Sequence, residues 1–307
     1  MGRDCLGYDA TTLFVPPNVA ANRSFLSKLR LTQNNTVTGH SEYAYRTLRI
    51  KKGRSKRTGN EMVTITGSLA TFLNGDNFHS LNFEEFSTAL EKLSDELGFN
   101  CGECYVWKIE FAGTFSTSDK PSLYFPCFQA RPGLHAKNMD SGVYLQNKSR
   151  ILVIHVYDKS YEQNPSTIRL EVRRNKAVPK AIGRPYPFLA SELATREVFE
   201  SFAHYWYKQI ISILVLPNQL PTFPERLTRK SVAQIESQLC RSDERTLSKL
   251  IQIVEAYDSA GLLSKDYRSE LRRELYGPHS ETENNRLLEL RSKIETIMKL
   301  HSEGLQG

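Results

Sequence analysis

Polar and apolar residues alternate in several stretches of this chain and recur at helical spacing in others, and the two periods together predict an α+β protein. Residues 82–97 place Phe83, Phe86, Leu90, Leu93 and Leu97 on one stripe, so an amphipathic helix is expected there, capped by Asn82 and ended by Gly98. Residues 104–115 read as a long strand with Trp107, Ile109 and Phe111 on one face and Lys108 and Glu110 on the other. Residues 42–51 and 61–66 read as a strand pair around a basic, Gly-containing loop, and 67–77 as a short helix closed by Asn74-Gly75. Further strand runs cover 143–158 and 166–174, and a Pro-rich irregular stretch occupies 175–190.

From about residue 193 the period becomes helical, over 193–215, 228–240, 243–260, 264–276 and 281–301, with a linker across Pro217–Pro224. The expected architecture is an antiparallel sheet with helices on one face (residues 1–216), followed by a helical C-terminal domain (217–307). A sheet covered on one side leaves a polar face open to a ligand.

That open face is where chemistry is expected. The run Arg150–Lys159 ends a β-branched stretch in His155, Tyr157, Asp158 and Lys159, and alternation puts His155 and Tyr157 on one side. The next strand groups Arg169, Glu171 and Arg173 in the same way. If these strands pair, a phenol, carboxylates and cations converge. Two carboxylates on neighbouring strands can hold one divalent cation through oxygen. A phenol, with a pKa near 10, needs a cation nearby to act as a nucleophile at neutral pH. A solvated strand face carries the same alternation, and a strand tyrosine is commonly a packing residue.

Charge sharpens the picture. The chain of 307 residues carries a net +7, and the excess lies early: residues 226–307 hold 14 basic and 13 acidic residues, the first 225 hold 27 and 21. One cluster is Arg46, Arg49, Lys51, Lys52, Arg54, Lys56 and Arg57; the other is Arg169, Arg173, Arg174, Lys176, Lys180 and Arg184. Such density on and beside strands suits a polyanion such as DNA. No apolar run is long enough to span a bilayer, and the N-terminus lacks a signal-peptide core. Five cysteines, with one isolated Cys101-x-x-Cys104, suit free thiols in a reducing compartment.

Four blocks in order resemble the rolling-circle replication initiators of filamentous phages, the gene II protein family and its plasmid and phage relatives. They are Thr66–Asn77, Trp107–Ala112, Val156–Lys159 and Ile168–Arg173, together within residues 66–174. The resemblance implies a Rep/relaxase-like nicking domain that cuts and rejoins origin DNA, single-stranded or supercoiled, through a covalent phosphotyrosine. It implies Tyr157 as nucleophile, with Tyr161 as a second tyrosine and Lys159 assisting at the phosphate. Glu110 and Glu171 would hold Mg or Mn with His155 as a contributor, and the chain lacks the superfamily's His-hydrophobic-His motif. Arg49, Lys51, Lys52, Arg54, Lys56, Arg57, Lys108, Arg169, Arg173 and Arg174 are the expected DNA contacts. Expected partners beyond DNA are a host helicase, or a second copy through the C-terminal helices, in a bacterial cytoplasm and with no membrane. Two other functions fit the residues: a metal-dependent hydrolytic nuclease in which Tyr157 is structural, and a non-catalytic DNA-binding regulator.

Overall fold

Alternating apolar residues build ten strands in the computed structural model, which describes residues 4–19, 23–35, 40–54, 59–128, 130–139, 142–160, 166–214 and 281–302. They are β1 (Cys5–Val15), β2 (Arg30–Asn35), β3 (His40–Tyr45), β4 (Leu48–Arg54), β5 (Glu61–Ser68), β6 (Tyr105–Ser116), β7 (Leu134–Met139), β8 (Gly142–Asn147), β9 (Leu152–Asp158) and β10 (Thr167–Arg174). All neighbours are antiparallel, in the order β2-β3-β4-β5-β1-β6-β10-β9-β8-β7. The order repeats itself: β1 and β6 lie side by side at the centre, and each is followed by a four-strand meander that returns to pair with it. The sequence shows no matching repeat.

The helices are α1 (Leu69–Asn74), α2 (Phe83–Leu97), α3 (Val178–Ala181), α4 (Ala190–Leu193), α5 (Arg196–Ile211) and α6 (Glu281–Ser302). α2 has the expected stripe and a complete capping box, Asn82 bonding the Glu85 N–H and Glu85 bonding back to Asn82. Gly98 ends it in the left-handed region at φ 76°, where a side chain would be strained. Gly75 ends α1 likewise.

The core lies between the sheet and α1, α2 and α5. Tyr8, Phe86, Phe111, Phe199 and Phe202 pack edge-on, tilted and, for Phe111 with Phe202, stacked, with centroids 4.9–6.2 Å apart. Trp206 of α5 is fully buried and donates its indole N–H to the Leu170 carbonyl at 2.9 Å. Leu170 pairs with Gly113, over which Trp206 packs, so the preceding residue, Arg169, faces the opposite side of the sheet.

Two β-bulges change faces that simple alternation would assign. Between the Tyr8–Phe111 and Thr11–Ile109 pairs, Asp9 and Ala10 stand opposite Glu110 alone. Between the Thr12–Lys108 and Leu13–Val106 pairs, Trp107 is the extra residue. The expectation that Trp107 joins Ile109 and Phe111 in the core is therefore corrected: Val106 is buried there and Trp107 is 54% exposed. The run 42–51 is also not one strand but the β3–β4 hairpin, turning at Arg46 with φ 51°.

The predicted helices over 228–240, 243–260 and 264–276 lie outside the described residues. α6 matches the last of the series, and its stripe of Leu287, Leu290, Ile294 and Ile297 is buried in the same core as α5 rather than kept free. Polar contacts fix it there. Glu289 accepts from the Ser118 N–H and from the Tyr124 hydroxyl at 2.6 Å, Arg286 pairs with Asp119 at 2.6 Å, and Lys293 donates to the Ser116 carbonyl. No described helix is long and apolar enough to cross a membrane.

Candidate active site

Four central strands put one polar cluster on the face opposite the helices. β10 pairs Arg169 with Tyr157 and Glu171 with His155 across β9, and pairs Arg173 with Glu110 across β6. Residues directly opposite or diagonal on one face reach each other. The alternation read from the sequence thus brings Tyr157, Glu171, Glu110, His155 and Arg173 together. It does not reveal Asp9, which the β1 bulge turns toward the same spot.

Arg169 is the centre of the cluster and is completely buried. Its guanidinium pairs with Asp9 at 2.9 Å and lies 3.4 Å from Glu171. It also donates to Thr114 Oγ1, Ser80 Oγ and the carbonyls of Asn77 and Phe78. Those carbonyls come from the segment that follows α1, which bridges to β1 through Leu81 and Tyr8. The bridge needs Gly7, because a Cβ there would meet the Leu81 carbonyl at 2.2 Å. Arg169 therefore neutralises buried carboxylates, and its expected role as a DNA contact is corrected.

The Tyr157 hydroxyl donates to Glu171 Oε1 at 2.7 Å. Burial, then the Glu171 charge, pushes this phenol well above its usual pKa, with Arg169 opposing. Burial also raises Glu171, which Arg169 partly offsets. His155 stacks on the Tyr157 ring at 4.5 Å, and its Nδ1 lies 3.9 Å from Glu171, beyond hydrogen-bond reach. Burial and Arg173 hold His155 down to about 4, so it is neutral at pH 7.

Glu110 is gripped from the rim. Arg173 Nε lies 2.7 Å from it and Lys108 Nζ 2.5 Å. Arg173 also reaches Glu171 at 3.6 Å. Lys159 folds inward, donating to Asn77 Oδ1 at 2.8 Å with its ammonium 5.9 Å from the Tyr157 ring centre. Burial and Arg169 lower its pKa, making it a better proton donor than a surface lysine.

Asp9, Glu110 and Glu171 each offer a carboxylate oxygen, and these lie within 4.8 Å of one another. Oxygens bound to one Mg or Mn ion sit at most about 4.2 Å apart, twice the usual bond length of about 2.1 Å. Carboxylate oxygens are the donors a hard divalent cation takes, and to share one ion these three would have to lie within that shorter distance of one another. Arg173 and Lys108, whose side chains are 26% and 25% exposed, can swing outward from Glu110, whereas Arg169 cannot.

The other expected contacts separate by face. Arg49 and Lys51 project on the open face beside Glu42, 3.9 and 3.0 Å away. Lys52 and Arg54 alternate to the other face, where Lys52 pairs with Glu61 at 2.6 Å. Arg174 also faces the helices, where its charge acts on Tyr205 of α5, which corrects its grouping with Arg173. Tyr161, Lys56 and Arg57 lie outside the described residues. Cys101 and Cys104 are both buried behind the 3-10 turn that follows α2, away from the cluster.

No family model matches this chain, and no curated protein matches it. Among solved structures, Methanococcus jannaschii TBP is similar over 69% of this chain and 98% of its own, with 12% identity and a TM-score of 0.32.

Proposed function

We propose that the protein is a DNA-nicking and joining enzyme of the rolling-circle initiator type, acting through a covalent tyrosyl phosphodiester. The observation that carries this reading is the 2.7 Å hydrogen bond from Tyr157 to Glu171, a carboxylate shared with the Asp9–Glu110–Glu171 cluster. A phenol already bonded to a carboxylate of raised pKa has an acceptor for its proton. The Tyr157 oxygen attacks phosphorus as its proton passes to Glu171, and the bond from phosphorus to the 3′-oxygen breaks. The departing oxygen takes a proton, which the Lys159 ammonium, 5.9 Å from the Tyr157 ring centre, would supply. The products are a phosphotyrosine and a free 3′-hydroxyl. Reversal rejoins the strand without an external energy source.

The three carboxylates would hold Mg or Mn, with neutral His155 at the rim. Such an ion supplies Lewis-acid polarisation of the phosphoryl oxygens and favours the phenolate. Arg173, once turned from Glu110, is placed to grip the phosphate in bidentate fashion. The buried charges of Arg169 serve to position Asp9 and Glu171. Origin specificity, a host helicase partner and action in a bacterial cytoplasm belong to the same proposal. Docking of α6 on the core argues for its use as a cap rather than as the surface of self-association.

The test is incubation with supercoiled or single-stranded origin DNA and Mn. A covalent protein–DNA adduct that disappears in Tyr157→Phe supports nicking. Cleavage without an adduct points to a hydrolytic nuclease, and binding without cleavage to a regulator.

A further inference from the structure

The open face continues past the carboxylate cluster toward β1, β5 and β4, and its chemistry changes there. Phe14 and Tyr105 stand opposite each other on this face and stack at 6.1 Å with an interplanar angle of 8°. Trp107, the extra residue of the second bulge, stands out into solvent between Tyr105 and Lys108. Thr12 and Thr66 are hydrogen-bonded across the next pair of strands, and beyond them Arg49 and Lys51 share one acid, Glu42. The region thus combines aromatic rings with an excess of exposed cations. From β4 to β6 it spans three strand spacings, about 14 Å.

We propose that this part of the face binds single-stranded nucleic acid, stacking bases on Phe14, Tyr105 and Trp107 and holding phosphates with Arg49, Lys51 and Lys108. Base-on-ring stacking tolerates any sequence and requires unpaired bases. A duplex hides its base faces and offers only phosphates. The platform lies on other strands than Tyr157 and goes beyond the nicking reading. It lies up-sheet of the cluster, with Lys108 about 20 Å along β6 from the level of Thr114, so a strand crossing it runs diagonally toward Tyr157.

The experiment uses the full chain in buffer free of divalent cations, so cleavage plays no part. Thymidylate and uridylate oligomers of about fifteen nucleotides, a length suited to one such groove, are titrated with a duplex of equal length as comparison. The sequence has two tryptophans and Trp206 is fully buried, so a fluorescence change reports Trp107. Single strands should quench the emission and bind more tightly than the duplex. Trp107→Ala should weaken binding roughly five- to a hundredfold, and Trp107→Phe should bind a labelled oligomer nearly as well as the parent. The two oligomers distinguish DNA from RNA as the ligand. Binding without quenching, unchanged affinity in both Trp107→Ala and Tyr105→Ala, or equal affinity for the duplex overturns the proposal. A covalent adduct in the presence of Mn together with unaltered binding by both Trp107→Ala and Tyr105→Ala would sink this inference alone. Loss of binding in Trp107→Ala with no adduct in the parent would sink the nicking reading alone.

Discussion

Tyr157 and Glu171 are joined by a 2.7 Å hydrogen bond between adjacent strands, diagonal to the direct pair of Tyr157 with Arg169. The bond makes the two residues separable by mutation. Tyr157→Phe removes the hydroxyl yet keeps the ring that stacks on His155, so the fold should persist while adduct formation vanishes. Glu171→Gln keeps the shape but removes a proton acceptor and one carboxylate of the cluster. Its nicking rate should fall at least a hundredfold, at the low end of what a positioned acid or base contributes. A Glu171→Gln protein that nicks at the parent rate is incompatible with the proposed role.

Arg169 should matter to the fold more than to the chemistry. Arg169→Met takes the buried cation away from Asp9 and Glu171 and empties six polar contacts. Breaking a buried pair from one side costs about 3–5 kcal/mol. Denaturant unfolding of the single variant and of Arg169→Met with Asp9→Asn gives the check. The double variant should recover part of the loss, because the second change removes a stranded charge. Additive losses would mean that Asp9 and Arg169 are not coupled.

How much of this was legible in the chain depends on where alternation holds. β9 and β10 run in register without a bulge, so the grouping of His155 and Tyr157 with Glu171 and Arg173 follows from parity alone. Parity also separates Arg174 from Arg173, and grouping the arginines by charge density overrides that signal. Asp9 and Trp107 were not legible by parity, since one extra residue in a strand exchanges faces and no composition cue marks a bulge. The expected strands begin at residue 42, so β1 is not among them, and the partner strand that sets Asp9 beside Glu110 lies a hundred residues away. Asn77 and Ser80 came from a segment whose backbone, rather than its side-chain pattern, closes over Arg169.

Docking of α6 should depend on pH through His301. Its ring packs against Phe199 at 5.3 Å, and burial lowers its pKa from the ordinary value of 6.5, with Glu200 opposing and Arg196 assisting. A histidine lowered in the folded state binds its proton more readily when unfolded. The folded state is therefore most favoured above the unfolded value, and stability falls as the pH drops from there toward the folded value. Unfolding midpoints measured at pH 7.5 and pH 5.5 should differ less in His301→Gln than in the parent. An identical pH dependence in both would assign the effect to other groups.

The rim cations should compete with a divalent ion for Glu110. Arg173 and Lys108 both lie within ion-pair distance of it, so an ion held by Asp9, Glu110 and Glu171 must displace them. Removing one competitor leaves the carboxylates more negative and less shielded. Arg173→Gln should then bind Mn about tenfold more tightly, roughly 1.4 kcal/mol, as measured by titration of the free-ion resonance signal. The same variant should lose nicking if Arg173 grips the phosphate, so affinity and activity would move in opposite directions. Glu110→Gln serves as the counterpart, weakening the ion while releasing both cations. Mn affinity that is unchanged in Arg173→Gln and Glu110→Gln alike would show that these carboxylates exist for the sake of their arginines, and Tyr157 would then act, if at all, without an ion at its side.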